Sequence, residues 1–181
     1  MRVITGIAGG RRLAALEGIA TRPTGDKVKE GIFSAIQFDI EGRKVIDLFA
    51  GSGQLGIEAL SRGAEFALFC DNNADAVKII RANLAATGFT DVSQVSACSY
   101  GELLASTPYK FDIAFLDPPY HAGLLPKAAE DVAKVMAPHG IIICEHDEKT
   151  QMPETVGGFA LKKRYRYGKT AVSLYRGVIN E

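Results

Sequence analysis

Three histidines and three cysteines are too few, and too scattered, to hold a metal ion. His121, His139 and His146 show no ligand spacing, and neither do Cys70, Cys98 and Cys144. No metal is expected. The cysteines lie in or beside apolar runs, the pattern of buried free thiols in a reducing cytoplasm. Net charge is also missing: 21 Lys and Arg balance 21 Asp and Glu. A nucleic-acid binder usually has a basic excess, so such a role must rest on where the charges stand. No apolar run approaches a membrane span and no signal-peptide pattern opens the chain, which argues against a membrane partner and for a cytoplasmic protein. Repeats, low-complexity stretches and linkers are absent. The length suits one sizeable core, so a single domain is expected over 1–181, with a 1–40 extension before a 41–181 core.

What is present alternates. Apolar runs of strand length fall near 44–49, 66–71, 92–97, 111–116 and 139–145. Helical periodicity falls near 54–62, 73–87, 123–137 and, briefly, 100–105. This predicts an α/β fold, a Rossmann-like, doubly wound and mostly parallel sheet. Residues 2–5 and 11–14 read as a small hairpin around Gly9-Gly10. Asp26 can cap a helix over 27–38, with Val28, Ile32, Ala35 and Ile36 on one face. Residues 159–167 and 170–177 read as a closing hairpin. Ligands of such sheets bind beyond the carboxyl ends of the strands, where strand order reverses. Asp47, Asp71, Cys98 and Asp117 all fall at those ends.

Two stretches carry chemistry. Asp117-Pro118-Pro119-Tyr120 follows the apolar run ending at Leu116. The prolines fix φ and stiffen the loop. It presents a carboxylate, the Pro118 carbonyl and a flat ring in one small space. That suits a planar heterocycle with an exocyclic amine: the two acceptors take the amino hydrogens and the ring stacks on the base. The second stretch is Val45 to Gly56, where Gly51, Gly53 and Gly56 form G-x-G-x-x-G and Asp71 follows twenty residues after Gly51. By spacing this is a dinucleotide fingerprint with an acid for a ribose hydroxyl. Asp47 argues against a dinucleotide, because a pyrophosphate beside it would meet a like charge. S-adenosylmethionine, with its sulfonium and ammonium, tolerates an acid there. A helix-capping or lysine-paired Asp47 is the plainer alternative.

These residues, with Glu58 to Ala64 and the opening Arg2-Val3-Ile4, Gly9 to Leu13 and Thr21 to Glu30, resemble the bacterial 16S ribosomal RNA guanine-N2 methyltransferases. The resemblance runs from Arg2 to about Tyr175. It implies a class I methyltransferase fold in which the C-terminal hairpin adds an antiparallel strand. It also implies S-adenosylmethionine as donor, held by Asp47, Phe49, Ala50, Gly51, Ser52, Gly53, Asp71, Asn72, Cys98, Ser99 and Asp117. Three positions depart from the family pattern. Lys27 and Lys29 stand where arginine is frequent, Asp71 where glutamate is usual, and Cys98-Ser99 where a polar Asp or Asn contacts the adenine amine.

The expected reaction is in-line attack of a base amine on the donor's methyl carbon. Asp117 and the Pro118 carbonyl orient the amine, Pro119 stiffens the loop, and Tyr120 stacks on an unstacked base. Basic residues gather at both ends of the chain. Arg11, Arg12, Arg22, Lys27 and Lys29, with Thr24, form a front for RNA, and the tail holds Lys162, Lys163, Arg164, Arg166, Lys169 and Arg176 with no acid between Phe159 and Val178. For the tail a solvated strand face explains the pattern equally well. The expected substrate is a guanine of small-subunit ribosomal RNA within an assembly particle. N6-adenine methylation of RNA or DNA is the alternative. An NAD-dependent oxidoreductase and a non-catalytic RNA-binding module are remoter.

Overall fold

The computed structural model describes residues 1–17, 24–119 and 123–178. Its elements run in the order α1 (Asp26–Ala35), β1 (Lys44–Leu48), α2 (Gln54–Ser61), β2 (Phe66–Cys70), α3 (Ala74–Thr87), β3 (Ser93–Ser96), α4 (Tyr100–Ser106), β4 (Phe111–Leu116), α5 (Leu125–Ala133), β5 (Met136–Asp147), β6 (Thr155–Val156), β7 (Phe159–Tyr167) and β8 (Thr170–Gly177). The eight strands form one sheet in the order β3-β2-β1-β4-β5-β8-β7-β6. β1 to β5 pair in parallel, and β8 joins β5 antiparallel to begin the closing meander. Strand order therefore reverses between β1 and β4, and their carboxyl ends frame the crevice described below.

The near-continuous apolar runs are what a strand covered on both faces requires. One face packs Val45, Phe69, Ile113, Phe115, Ile141 and Ile143 under α1, α2 and α3, with Val3, Ala8 and Leu13 of the opening segment in the same cluster. The other packs Ile46, Leu48, Leu68, Leu116, Ile142 and Cys144 under α4 and α5. The opening segment thus shares a core with the sheet and is not set apart from it.

Several local expectations change. The opening hairpin reduces to one antiparallel bridge, Arg2 to Arg12, with Val3 N–H on the Arg11 carbonyl at 2.9 Å. Asp26 does not cap α1: Gly25 is the N-cap, without a side-chain bond, and Asp26 stands in the first turn, where an acid suits the helix dipole. β5 starts at Met136, with a register irregularity against β4 before Ile141. β6 has two residues, too few for periodicity to reveal.

Candidate active site

The chain leaves β1 through a left-handed turn. Phe49 has a φ of 58°, which a residue with a Cβ adopts at a cost of about 1–3 kcal/mol. Its ring rests on Tyr100, centroids 5.3 Å apart. Gly53, at φ 78°, is the N-cap of α2. One turn on, a Cβ at Gly56 would lie 2.4 Å from the Phe69 ring, so glycine there lets α2 sit flush on β2. Asp71 fastens this turn from the end of β2. Its Oδ2 accepts from Gly51 N–H at 2.9 Å and its Oδ1 from Asn73 N–H at 2.9 Å. The carboxylate is thus held in one orientation by two backbone N–H groups.

A cavity of about 260 Å³ opens over these strand ends. Of the residues expected to hold the donor, Asp47, Phe49, Ala50, Gly51, Ser52, Asp71, Asn72 and Asp117 line it. Gly53 stands behind, against Phe69 and Ile80. Cys98 and Ser99 are not part of this lining among the described residues. The Cys98 carbonyl accepts the Cys70 thiol at 3.3 Å, and Ser99 with Glu102 forms a capping box on α4. The Ser99 hydroxyl is spent on its own helix.

Acids dominate the crevice floor. Asp47 is 2 % exposed and accepts from Gly56 N–H at 2.9 Å, so the helix-capping role holds alongside its place in the lining. Burial, with Asp71 nearby, raises its pKa to about 8 against the opposing Gly56 bond. Asp117 is half-buried with its carboxyl turned inward. Desolvation first and the charge of Glu145 second push its pKa well up. Thr24 joins the two: its Oγ1 donates to Glu145 Oε2 at 2.6 Å and lies 3.2 Å from Asp117 Oδ2. A hydroxyl has one hydrogen, and the shorter bond takes it. The contact to Asp117 Oδ2 is the longer and weaker of the two.

The expected RNA front divides. Arg11, Arg12 and Lys27 are exposed. Arg11 also donates to the Ala86 carbonyl at 2.8 Å. Thr24 belongs to the crevice and is 5 % exposed. Lys29 is a correction. It is fully buried, with Nζ on the Arg2 carbonyl and 3.8 Å from Glu58. It faces no RNA, because its turn of α1 points into the core. Pro119 lines the crevice, and Pro118 borders a second hollow of about 40 Å³. Tyr120, His121 and Arg22 lie outside the described residues.

Three polar residues were not singled out by the sequence. Glu145, 4 % exposed, ends an apolar run as Asp117 does, so the rule that found Asp117 also reaches it. Asn83, 2 % exposed, holds Ala14 through both N–H and carbonyl and also donates to the Ser52 carbonyl. Gln54, 6 % exposed, donates to the Thr24 carbonyl. No local pattern marks these last two, since their partners lie 69, 31 and 30 residues away in sequence.

Known proteins resemble this chain over nearly its full length. The family model "Conserved hypothetical protein 95" matches residues 1–176. The "Putative rRNA methyltransferase YlbH" of Bacillus subtilis is 40% identical over 181 residues, spanning 97% of this chain and 98% of that one. The "Ribosomal RNA small subunit methyltransferase D" of Escherichia coli K12 is 32% identical over 184 residues, spanning 97% and 89%. Among solved structures, "Putative methyltransferase yhhF from Escherichia coli" superposes with a TM-score of 0.84 at 30% identity, covering 98% of this chain and 97% of that one.

Proposed function

We propose, since this chain belongs to the conserved hypothetical protein 95 family, that it uses S-adenosylmethionine to methylate ribosomal RNA, at the exocyclic N2 amine of a guanine in the small-subunit (16S) RNA. The observation that carries the reading is Asp117 on the wall of the crevice that Asp47, the glycine turn and Asp71 build at the sheet's reversal point.

The crevice residues fit the donor. A sulfonium and an ammonium are stabilised beside carboxyls in a poorly solvated cleft, whereas a pyrophosphate is repelled there. Asp71, already held by two backbone N–H groups, suits a pair of ribose hydroxyls. This argues against a nicotinamide dinucleotide. S-adenosylmethionine supplies a methyl carbon on a positively charged sulfur, a good leaving group.

The chain's own residues do the rest. Asp117 and the Pro118 carbonyl accept the two amino hydrogens and aim the nitrogen lone pair. Orientation and preorganised dipoles then carry most of the acceleration. Proton loss from the methylated nitrogen is easy, and it goes to Asp117 or to water. Tyr120 stacks on the unstacked base. The exposed Arg11, Arg12 and Lys27 meet phosphates. A short basic front suits an RNA that ribosomal proteins already hold in shape, so an assembly particle in the cytoplasm is the proposed substrate.

The test is mass-spectrometric mapping of small-subunit RNA from a strain lacking this protein. One N2-methylguanosine should be missing. The purified chain should restore it on extracted RNA or particles, and Asp117→Ala should not. An unchanged modification map overturns the reading.

A further inference from the structure

Glu145 is a buried carboxyl that the reaction outlined above leaves without a task. It stands one position beyond Cys144, which pairs with Leu116, so Glu145 within β5 lies beside Asp117 just past the end of β4. Both belong to the sheet face that carries Phe115 and Ile143. Thr24 Oγ1 touches one oxygen of each, Glu145 Oε2 at 2.6 Å and Asp117 Oδ2 at 3.2 Å. Glu145 also borders the small hollow that Pro118 and Pro119 wall on the other side of the loop. An acid therefore sits next to the acid that receives the amine.

The chemistry of the bases gives this second acid a meaning. Adenine, cytosine and guanine each carry an exocyclic amine. In adenine and cytosine the ring nitrogen beside the amine is a lone-pair acceptor. In guanine the amine lies between N3, an acceptor, and N1–H, a donor that the other two bases lack. A carboxylate beside the amine site therefore attracts guanine and repels the other two. We propose that Glu145 reads the target base by accepting the N1–H of guanine, while Asp117 accepts from the N2 amine. This rests on the methyltransferase reading above and deepens it by naming what selects the base. Thr24 donates its single hydrogen to Glu145 and so keeps Glu145 in the acceptor state that N1–H requires. Asp117 meets Thr24 through Oδ2 and offers its other oxygen to the amine. Two acceptors on neighbouring strands then match a base that has donors at both N1 and N2.

The test uses RNA made with guanine or with 2-aminopurine at the mapped nucleotide. 2-Aminopurine keeps the amine at C2 but has a lone pair at N1. The parent protein should favour guanine over 2-aminopurine in kcat/KM by on the order of a hundredfold or more, since a site built for a donor rejects the analogue lacking it. Glu145→Gln has an amide that can donate to the N1 lone pair, so its ratio should narrow to below about tenfold. Loss of O6 from the analogue acts equally on both proteins and cancels in the comparison. Glu145→Asp, which keeps the acceptor, should keep the preference at lower rate. A parent that turns over both RNAs equally overturns the inference whether or not the variants fold. So does an unaltered ratio in Glu145→Gln with both rates lowered alike. A parent that methylates no guanine at N2 in any RNA overturns the function itself, and is told apart by the absence of product on either RNA.

Discussion

Glu58 and Asp47 are both sealed inside the protein, 0 % and 2 % exposed, on either side of the α2 N-terminal turn. Their surroundings differ in kind. Glu58 accepts from Ile4 N–H at 2.8 Å, Thr5 N–H at 3.0 Å and Arg62 Nε at 2.9 Å, with Lys29 Nζ 3.8 Å away. Its charge is matched within the fold, and it ties the opening segment to α1 and α2. Asp47 has the Gly56 N–H for a partner and its neighbour in charge is another acid, so its pKa stands near 8. A saturated buried acid is a structural joint. An acid short of positive charge, in a crevice, is prepared for a ligand that brings one.

Breaking the saturated site should have the largest effect. Glu58→Ala leaves Lys29 buried without its counter-charge, a loss of about 3–5 kcal/mol, whereas Lys29→Ala, in which Arg62 still meets Glu58, should cost less. For a domain of this size the larger loss lowers Tm by roughly 6–20 °C. Scanning calorimetry showing little change would mean that the pair is as dispensable as a surface ion pair, and the comparison would collapse.

Asp47→Asn should act in the opposite direction. A carboxyl whose pKa is raised on folding contributes stability at low pH and loses it as pH rises through the folded value, here about 8. The parent should therefore lose stability from mildly acidic pH toward 8, by at most about 1.4 kcal/mol per unit from this group. The asparagine variant should be flatter and more stable near pH 8, yet bind S-adenosylmethionine more weakly. Denaturant melts across pH and calorimetric titration measure the two arms. A variant less stable than the parent at pH 8 would show that Asp47 is another joint.

The smallest effect sharpens the same contrast on one helix. Lys27 and Lys29 are two residues apart on α1, one exposed and one buried. Lys27→Ala should leave stability and donor affinity alone, and should reduce the slope of log RNA affinity against log salt by somewhat under one unit. Filter binding across a salt series decides it, and an unchanged slope takes Lys27 out of the RNA surface.

That helix also marks where sequence reading reached its limit. The sheet was legible because β1, β2, β4 and much of β5 are covered on both faces and read as mainly apolar runs, whereas β3, part-buried at the edge, has no such run. The closing hairpin was legible to the residue, since 159–167 and 170–177 match β7 and β8. Asp47, Asp71 and Asp117 followed from the same pattern at strand ends. Lys29 did not, because a lysine in a basic stretch looks solvated until its acid appears 29 residues later. Asn83 did not either, since it works by holding backbone far away in the chain. Ser99 was read as a donor contact although the Ser-x-x-Glu spacing to Glu102 already spells a capping box.

The bonds that hold the opening segment have a consequence for how the protein is made. Ile4 waits 54 residues for Glu58, and Ala14 waits 69 for Asn83. At ordinary rates of synthesis the second interval is about 3–14 s. For that time Val3, Ala8 and Leu13 have no core to enter, and Met1, Ala15 and Leu16 have no crevice to line. The opening segment is thus a wall that closes over the crevice only after the turn and the two helices behind it exist. Any trigger that delays α3 delays the whole crevice, however early its glycines were made.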